Sequence, residues 1–337
     1  MVKKQILITG AGGEIGHGLI DHLSKNSNNA IVALDIRALD KKLVSSVTHS
    51  ITADILDTKQ LESLFEKYKF DTIFHLAAML STSAEHDPIK AHHVNTDGAI
   101  NLLSLTERFS RKLNKQIVFM FPSSIAIYGL PDLKTAKVIG KIREEQWNLP
   151  ATMYGCNKLY VELLGHYYER YFEKDIKTPR GLLDFRSIRF PGLLSADTLP
   201  TGGTSDFGPE MLHAAAEGKS YECFVREDSQ IPFMAMPDAV RALISLSHAN
   251  KIELTHDNYN VGSFSISAKE IATIAKRHFP KFSVTYKPHQ KRQAIIDSWP
   301  EDVDDSLARK DWGWKAKYDK ITTFEDYLVP AIIRRYS

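Results

Sequence analysis

Tyr154 and Lys158 stand four residues apart in Met153-Tyr154-Gly155-Cys156-Asn157-Lys158, within a pattern that predicts a helix over about 153–173. On a helix, positions i and i+4 share a face. An ammonium held beside a phenol stabilises the phenolate and lowers the tyrosine pKa toward neutrality. That would make tyrosine a usable general base near pH 7. Such a pair arises often by chance, so its weight depends on partners. One is Ser123-Ser124, at the end of an apolar run that predicts a strand over 116–121. A serine hydroxyl there can hydrogen-bond a reacting oxygen. The other is Thr9-Gly10-Ala11-Gly12-Gly13-Glu14-Ile15-Gly16, where Gly10, Gly13 and Gly16 have a G-x-x-G-x-x-G spacing. Glycines permit a tight turn and a close backbone approach to a pyrophosphate. The helix opening at Glu14 and Ile15 directs free N–H groups at the same anion. The turn lies between a predicted strand and a predicted helix, the context the motif requires. Asp35 ends the next strand-like run, 19 positions after Gly16. A carboxylate there accepts both ribose hydroxyls and repels a 2′-phosphate, which favours NAD over NADP, although Arg37 could instead serve a 2′-phosphate. Asp54 and Ile55 follow another short apolar stretch and could reach an adenine edge. His75-Leu76-Ala77-Ala78 closes a further strand with small residues that leave room for a ligand.

These side chains meet only if a scaffold brings distant segments to one edge. Apolar, β-rich runs at Gln5–Thr9, Ala30–Asp35, Thr72–Ala77 and Gln116–Phe121 alternate with helical patterns at Glu14–Lys25, Lys59–Lys69 and Pro88–Arg111. Strands apolar throughout, alternating with helices, imply a parallel sheet covered on both faces. With right-handed crossovers, this is an α/β doubly wound, Rossmann-type fold. Gly129–Thr152, punctuated by prolines, reads as a long surface loop. A helix over 153–173 and a strand over 184–189 follow. Leu194–Gly208 is rich in Gly, Ser, Thr and Asp; a loop that long in a compact domain is usually functional or disordered. Helices are expected near 207–217, 238–249, 268–278 and 323–333. The expected organisation is a cofactor domain over 1–185, to which later segments return, and a smaller mixed α/β substrate lobe over 186–337.

Composition narrows the classes. Lys plus Arg number 43 against 41 Asp plus Glu, which offers no electrostatic case for a nucleic-acid or membrane partner. Apolar runs fall far short of the ~20 residues needed to span a bilayer. Cys156 and Cys223 are the two cysteines, too few for a disulfide scaffold or a cysteine-rich zinc site. They suit a reducing compartment. The strand-like sequence begins almost at Met1 and is read as leaving no room for a leader, so a cytoplasmic protein is expected. His86, His92 and His93 lack ligand-spaced partners, and no metal is expected. Trp299, Trp312 and Trp314 are expected to pack the small lobe, and the basic run Lys287–Arg292 to be a solvated face.

TGAGGEIG, HLAA, VNTDGAINLL, PSSIAIYG, YGCNK and RFPG together resemble the extended short-chain dehydrogenase/reductase superfamily. RFPGLLSADTLPTGGTSDF, IPFMAMPDAVRA, DSWPEDVDDSLARKDWGW and KYD are similar to the short-chain type of L-threonine 3-dehydrogenase, over about residues 5–333. The resemblance implies oxidation of the β-hydroxyl of L-threonine to 2-amino-3-oxobutyrate with NAD as cofactor. It implies that Gly10, Gly13 and Gly16 hold the pyrophosphate, Asp35 the ribose, and Asp54 and Ile55 the adenine. His75, Ala77 and Asn95 would line the cofactor crevice, with Pro191 near the nicotinamide. Tyr154 would be the base, Lys158 would also bind the nicotinamide ribose, and Ser124 rather than Ser123 would be the third catalytic group. Ser81, Thr204 and Asp206 would contact the amino acid, Ser81 at the carboxylate and Asp206 at the ammonium. A homodimer pairing helices near 88–111 and 153–173 is implied as well. Two departures stand out: Asn157 replaces the usual small hydroxyl residue and is read as pointing off the catalytic face, and Thr-Gly-Gly-Thr-Ser-Asp has one glycine fewer than usual. The alternatives are a nucleotide-sugar epimerase or dehydratase, which would need a second nucleotide pocket with Arg226 and Arg241 as candidates, and a related 3-hydroxy acid dehydrogenase.

Overall fold

A computed structural model describes residues 3–172, 182–196, 198–200 and 202–337. Glu173, at the end of the expected helix, and residues 197 and 201 of the polar loop lie outside the described residues. The strands are β1 (Lys4–Thr9), β2 (Asn29–Asp35), β3 (His49–Thr52), β4 (Thr72–His75), β5 (Ile117–Ser124), β6 (Lys141–Ile142), β7 (Leu183–Phe190), β8 (Gly192–Leu194), β9 (Tyr221–Cys223), β10 (Gln230–Ala235), β11 (Asn258–Asn260), β12 (Phe264–Ser267), β13 (Val284–Tyr286) and β14 (Asp302–Val303). Seven of them form one sheet in the order β11-β7-β5-β4-β1-β2-β3, with every pairing parallel. Winding proceeds outward in opposite directions from β1 and β4. That junction is the switch point where such sheets open a ligand crevice at their C-terminal edge. Thr9 and His75 end those two strands in register.

Apolar clusters cover both faces of this sheet. Helices Glu14–Leu23 and Met236–His248 pack on one face. Helices Thr58–Tyr68, Gly98–Leu113 and Met153–Arg170 pack on the other. A third cluster fills a lobe built around the small sheet β12-β10-β8 and helices Phe207–Ala216 and Ala268–His278. Helix Met236–His248 and β11 thus return to the main sheet from late in the chain.

Three expectations need correction. Gly129–Thr152 is not a surface loop: it contains helix Leu133–Ile139 and β6, and Leu130, Ala136, Ile142 and Glu144 are buried. Its partner strand β14 lies far along the chain, so nothing local announces it. The stretch 88–111 is helical throughout but is not a plain α-helix. Helix Pro88–His92 passes through a π-turn, His93–Asp97, into Gly98–Leu113, and a separate helix, Ser81–His86, precedes it. Trp299 does pack the lobe, but Trp312 and Trp314 pack against the main sheet, where Trp312 meets Tyr259 of β11.

Helix Met153–Arg170 sits unusually close to the sheet at Gly165. A Cβ there would lie 2.3 Å from the Phe185 ring, which is itself fully buried in β7. The ring has nowhere to retreat. Gly165→Ala should therefore destabilise the fold by about 1–3 kcal/mol through overpacking, read as a lower urea midpoint. An unchanged midpoint would show that the helix can lift without cost.

Candidate active site

Thr152 starts the Tyr154 helix. Its Oγ1 accepts from the Gly155 N–H at 3.0 Å, and Glu85 Oε1 accepts from the Met153 N–H at 2.7 Å. Side-chain acceptors at these positions satisfy N–H groups that the helix itself leaves open. Glu85 also fastens helix Ser81–His86 to this start. One turn in, Lys158 is 5% exposed. Its Nζ donates to the Pro122 carbonyl of β5 at 2.6 Å. It stands 4.5 Å from the Phe121 ring centroid and 5.4 Å from that of Tyr154. Ser124 ends β5, and its Oγ accepts from the Ala126 N–H at 3.1 Å. The hydroxyl's own proton remains available for a ligand oxygen. Strand alternation turns Ser123 to the opposite face, where its Oγ is buried without a partner among the described residues.

Burial pulls Lys158 down to about 7 and pushes the half-buried Tyr154 phenol above its ordinary range. Desolvation thus works against the lowering expected from the lysine. The ammonium is committed to a carbonyl and lies beside the ring, so desolvation dominates. Burial, reinforced by Lys158, holds His75 down at about 3, hence neutral.

The dinucleotide end is equally local. Gly10 has φ +65°, and a Cβ on it would lie 2.6 Å from the Ala77 backbone nitrogen. The turn after β1 therefore presses directly on the exit of β4. Gly13 is exposed, and the helix Glu14–Leu23 behind it has no side-chain cap, so its first N–H groups face outward beside Ile15 and Gly16. Asp35 is buried and fixed: Oδ2 accepts from the Gly12 N–H at 2.9 Å and Oδ1 from the Arg37 N–H at 3.0 Å. An uncapped helix start beside a fixed carboxylate fits the pyrophosphate and ribose of NAD. Asp54 is exposed and caps the turn to Leu56, while Ile55 is buried against Gly98. His75 Nδ1 meets Thr9 Oγ1 at 2.8 Å, joining the two switch-point strands. Leu76, Ala77 and Ala78 are half-buried, and Pro191 is buried just after β7. Asn95 lies in the π-turn and clamps Met79, accepting from its N–H at 2.7 Å and donating to its carbonyl at 3.0 Å. It also donates to Asn157 Oδ1 at 3.2 Å. Asn157 is therefore buried in this clamp.

Across the cleft, Thr204 Oγ1 donates to Ser81 Oγ at 3.3 Å, and Thr204 is 3% exposed. Asp206 accepts from the Gly203 N–H at 2.6 Å, inside the same turn. Glu14 Oε1 accepts from Thr198 Oγ1 at 2.7 Å, joining the glycine turn to the polar loop, and burial raises the Glu14 pKa. The basic run is solvated over 287–291 as expected, but Arg292 departs from it: it is half-buried over the Phe224 ring and donates to the Gly203 carbonyl. Sequence reasoning missed Thr152, Glu85, Arg292 and the Asn95–Asn157 contact. Only Thr152 carried a local signal, a capping residue directly before a helical pattern. The others act on partners remote in sequence.

The family model described as "NAD dependent epimerase/dehydratase family" matches residues 6–262. The mitochondrial L-threonine 3-dehydrogenase of Bos taurus is 34% identical over 325 residues, covering 94% of this chain and 80% of its own. The crystal structure of L-threonine dehydrogenase from Clostridium difficile superposes with a TM-score of 0.86 at 32% identity, covering 100% of this chain and 99% of that one. A monomeric L-threonine 3-dehydrogenase from a metagenome gives 0.86 at 34% identity, covering 98% and 100%.

The buried ammonium has a pH signature. Lys158 holds its proton up to about 7 when folded and up to 10.5 at its ordinary value. Between those values the unfolded chain binds the extra proton, so stability rises with pH across the window. Comparing urea midpoints of the parent and Lys158→Met from pH 6.5 to 9.5 should show the parent gaining on the variant as pH rises. A constant difference would mean that the ammonium keeps its charge when folded.

Proposed function

The chain belongs to the NAD dependent epimerase/dehydratase family, and from that premise we propose that it oxidises the β-hydroxyl of L-threonine to 2-amino-3-oxobutyrate with NAD. The observation that carries this reading is the Ser81–Thr204 contact across the cleft. It offers small hydroxyls next to Asp206, a donor and acceptor set scaled to a zwitterionic amino acid. A nucleotide sugar would call on further arginines, for which Arg226 and Arg241 are the candidates. Arg226 is bidentate to Asp297 at 2.9 and 2.8 Å, and Arg241 is held by Asp238 at 2.8 Å. Both candidates for a second nucleotide pocket are already paired.

In this reading Gly10, Gly13, Glu14, Ile15 and Gly16 hold the pyrophosphate, with Asp35 at the ribose and Arg37, Asp54 and Ile55 at the adenosine rim. His75, Leu76, Ala77, Ala78, Asn95 and Pro191 shape the crevice, and Lys158 serves the nicotinamide ribose. Bound NAD would supply the hydride acceptor and a cationic ring. Tyr154 takes the β-hydroxyl proton, and Ser124 donates its O–H to hold that oxygen in line. Burial alone disfavours the Tyr154 phenolate; positive charge from Lys158 and from the ring favours it. Ser81 and neighbouring N–H groups take the carboxylate, and Asp206 takes the ammonium. The cofactor half comprises residues 1–185 with the end of β7, Met236–His248, β11 and the segment carrying Trp312 and Trp314, and the remainder of 186–337 forms the substrate lobe. Both cysteines are free, which supports a reducing, cytoplasmic setting. Among the described residues no helix is long and apolar enough to cross a membrane.

Formation of NADH with L-threonine, L-allo-threonine and L-serine in parallel tests the reading, with L-threonine the expected substrate. No signal with any of them, together with turnover of a UDP-sugar, would replace it with the epimerase reading. Tyr154→Phe should lower kcat by about 10²–10⁴ while NAD affinity stays within a few-fold; substantial activity would remove Tyr154 from its role. A homodimer completes the proposal: Ile89, 73% exposed, and Leu163, 61% exposed, together with Tyr160 and Tyr167, form an apolar outer face on the paired helices. Sedimentation should show a dimer that Leu163→Asp converts to monomer, and a monomeric parent would refute it.

A further inference from the structure

The turn at 202–206 is fastened from two sides at once. Gly202 has φ +87°, with open space where a Cβ would stand. From the cofactor half, Thr82 Oγ1 donates to the Gly202 carbonyl at 2.6 Å. From the lobe, Arg292 Nη2 donates to the Gly203 carbonyl at 2.5 Å and reaches the Gly202 carbonyl at 3.5 Å. The guanidinium lies flat enough on Phe224 to stand 3.2 Å from the ring centroid. The next residue, Thr204, meets Ser81, the neighbour of Thr82 on helix Ser81–His86. That helix is tied to the start of the Tyr154 helix through Glu85. Three consecutive residues of the turn are therefore referenced to the catalytic helix on one side and to an arginine stacked in the lobe on the other.

We propose that Arg292 and Thr82 are positioning residues that clasp the Gly202–Gly203 carbonyls from opposite sides and so set Thr204 and Asp206 for capture of the amino-acid substrate. This deepens the reading above and rests on it for the identity of the substrate. The clasp touches neither Tyr154, Lys158 nor Ser124. Its contribution is equal in the ground and transition states, so it appears in KM rather than in kcat. A guanidinium is needed for the work: its plane stacks on the ring while its edge donates to carbonyls, which an ammonium cannot do together.

Arg292→Lys and Thr82→Val test this. Each should raise KM for L-threonine about tenfold, the worth of one charged or well-aligned hydrogen bond. The KM for NAD, kcat and the melting temperature should change little. The double variant should lose less than the product of the two single effects, because both residues act on one carbonyl pair. Amide hydrogen exchange across 203–207 should quicken in both variants. An unchanged KM for L-threonine, or a parallel rise in KM for NAD, would overturn the proposal. Should the parent oxidise no amino acid, the substrate reading fails by itself; exchange across 203–207 then decides the clasp, and unaltered protection in both variants overturns it.

Discussion

Taking the Lys158 ammonium out of water is the constraint around which the site is arranged. An uncompensated buried charge is costly, and the fold answers with one short bond to the Pro122 carbonyl, the face of Phe121 and the nearby charge of Glu162. Each answer fixes geometry. The carbonyl belongs to the end of β5, so the lysine pins its helix to the strand that carries Ser124. Phe121 stacks on His75 as well, which places the lysine at the switch point. His75 must be neutral there, since a second cation would raise the cost further.

The same helix is seated from behind by a buried polar network. Glu162, one turn beyond Lys158, receives Arg189 of β7 in a bidentate pair at 3.0 and 2.6 Å. Arg189 also donates to the Glu144 carbonyl and to Tyr128, whose hydroxyl continues to Asn260 of β11. Buried ion pairs of this kind add little net stability but penalise any arrangement that breaks them. Here the arrangement is the register between the Tyr154 helix, β7, β11 and the segment 129–152. That segment supplies one backbone acceptor, the Glu144 carbonyl, to a buried arginine and buries Leu130, Ala136 and Ile142 in the lobe core.

Across the cleft itself, the two halves of the chain meet through a few polar contacts. Glu14 of the phosphate-binding turn holds Thr198, and Ser81 and Thr82 hold the 202–206 turn. Beneath them the segment 125–142 shares an apolar core with the lobe, while across the cleft cofactor groups and substrate groups are linked by hydrogen bonds. Such contacts give precise placement at small energetic cost, which suits a site that must open to its ligands.

By itself the amino-acid sequence determined what is local or periodic: the apolar strands, the helices between them, the glycine turn with Asp35, and the four-residue spacing of Tyr154 and Lys158. These are readable because the physical cause lies within a few residues of its effect. The tertiary structure decided whatever depends on distant partners. It folded 129–152 through β14, the lobe core and Arg189, set a π-turn into the 88–111 helix where Asn95 grips Met79, drew Arg292 out of an otherwise solvated run, and opposed the expected shift of Tyr154 by burying the pair. Burial, charge pairing and long-range hydrogen bonds are properties of neighbours in space, and a linear pattern does not encode which neighbours those will be.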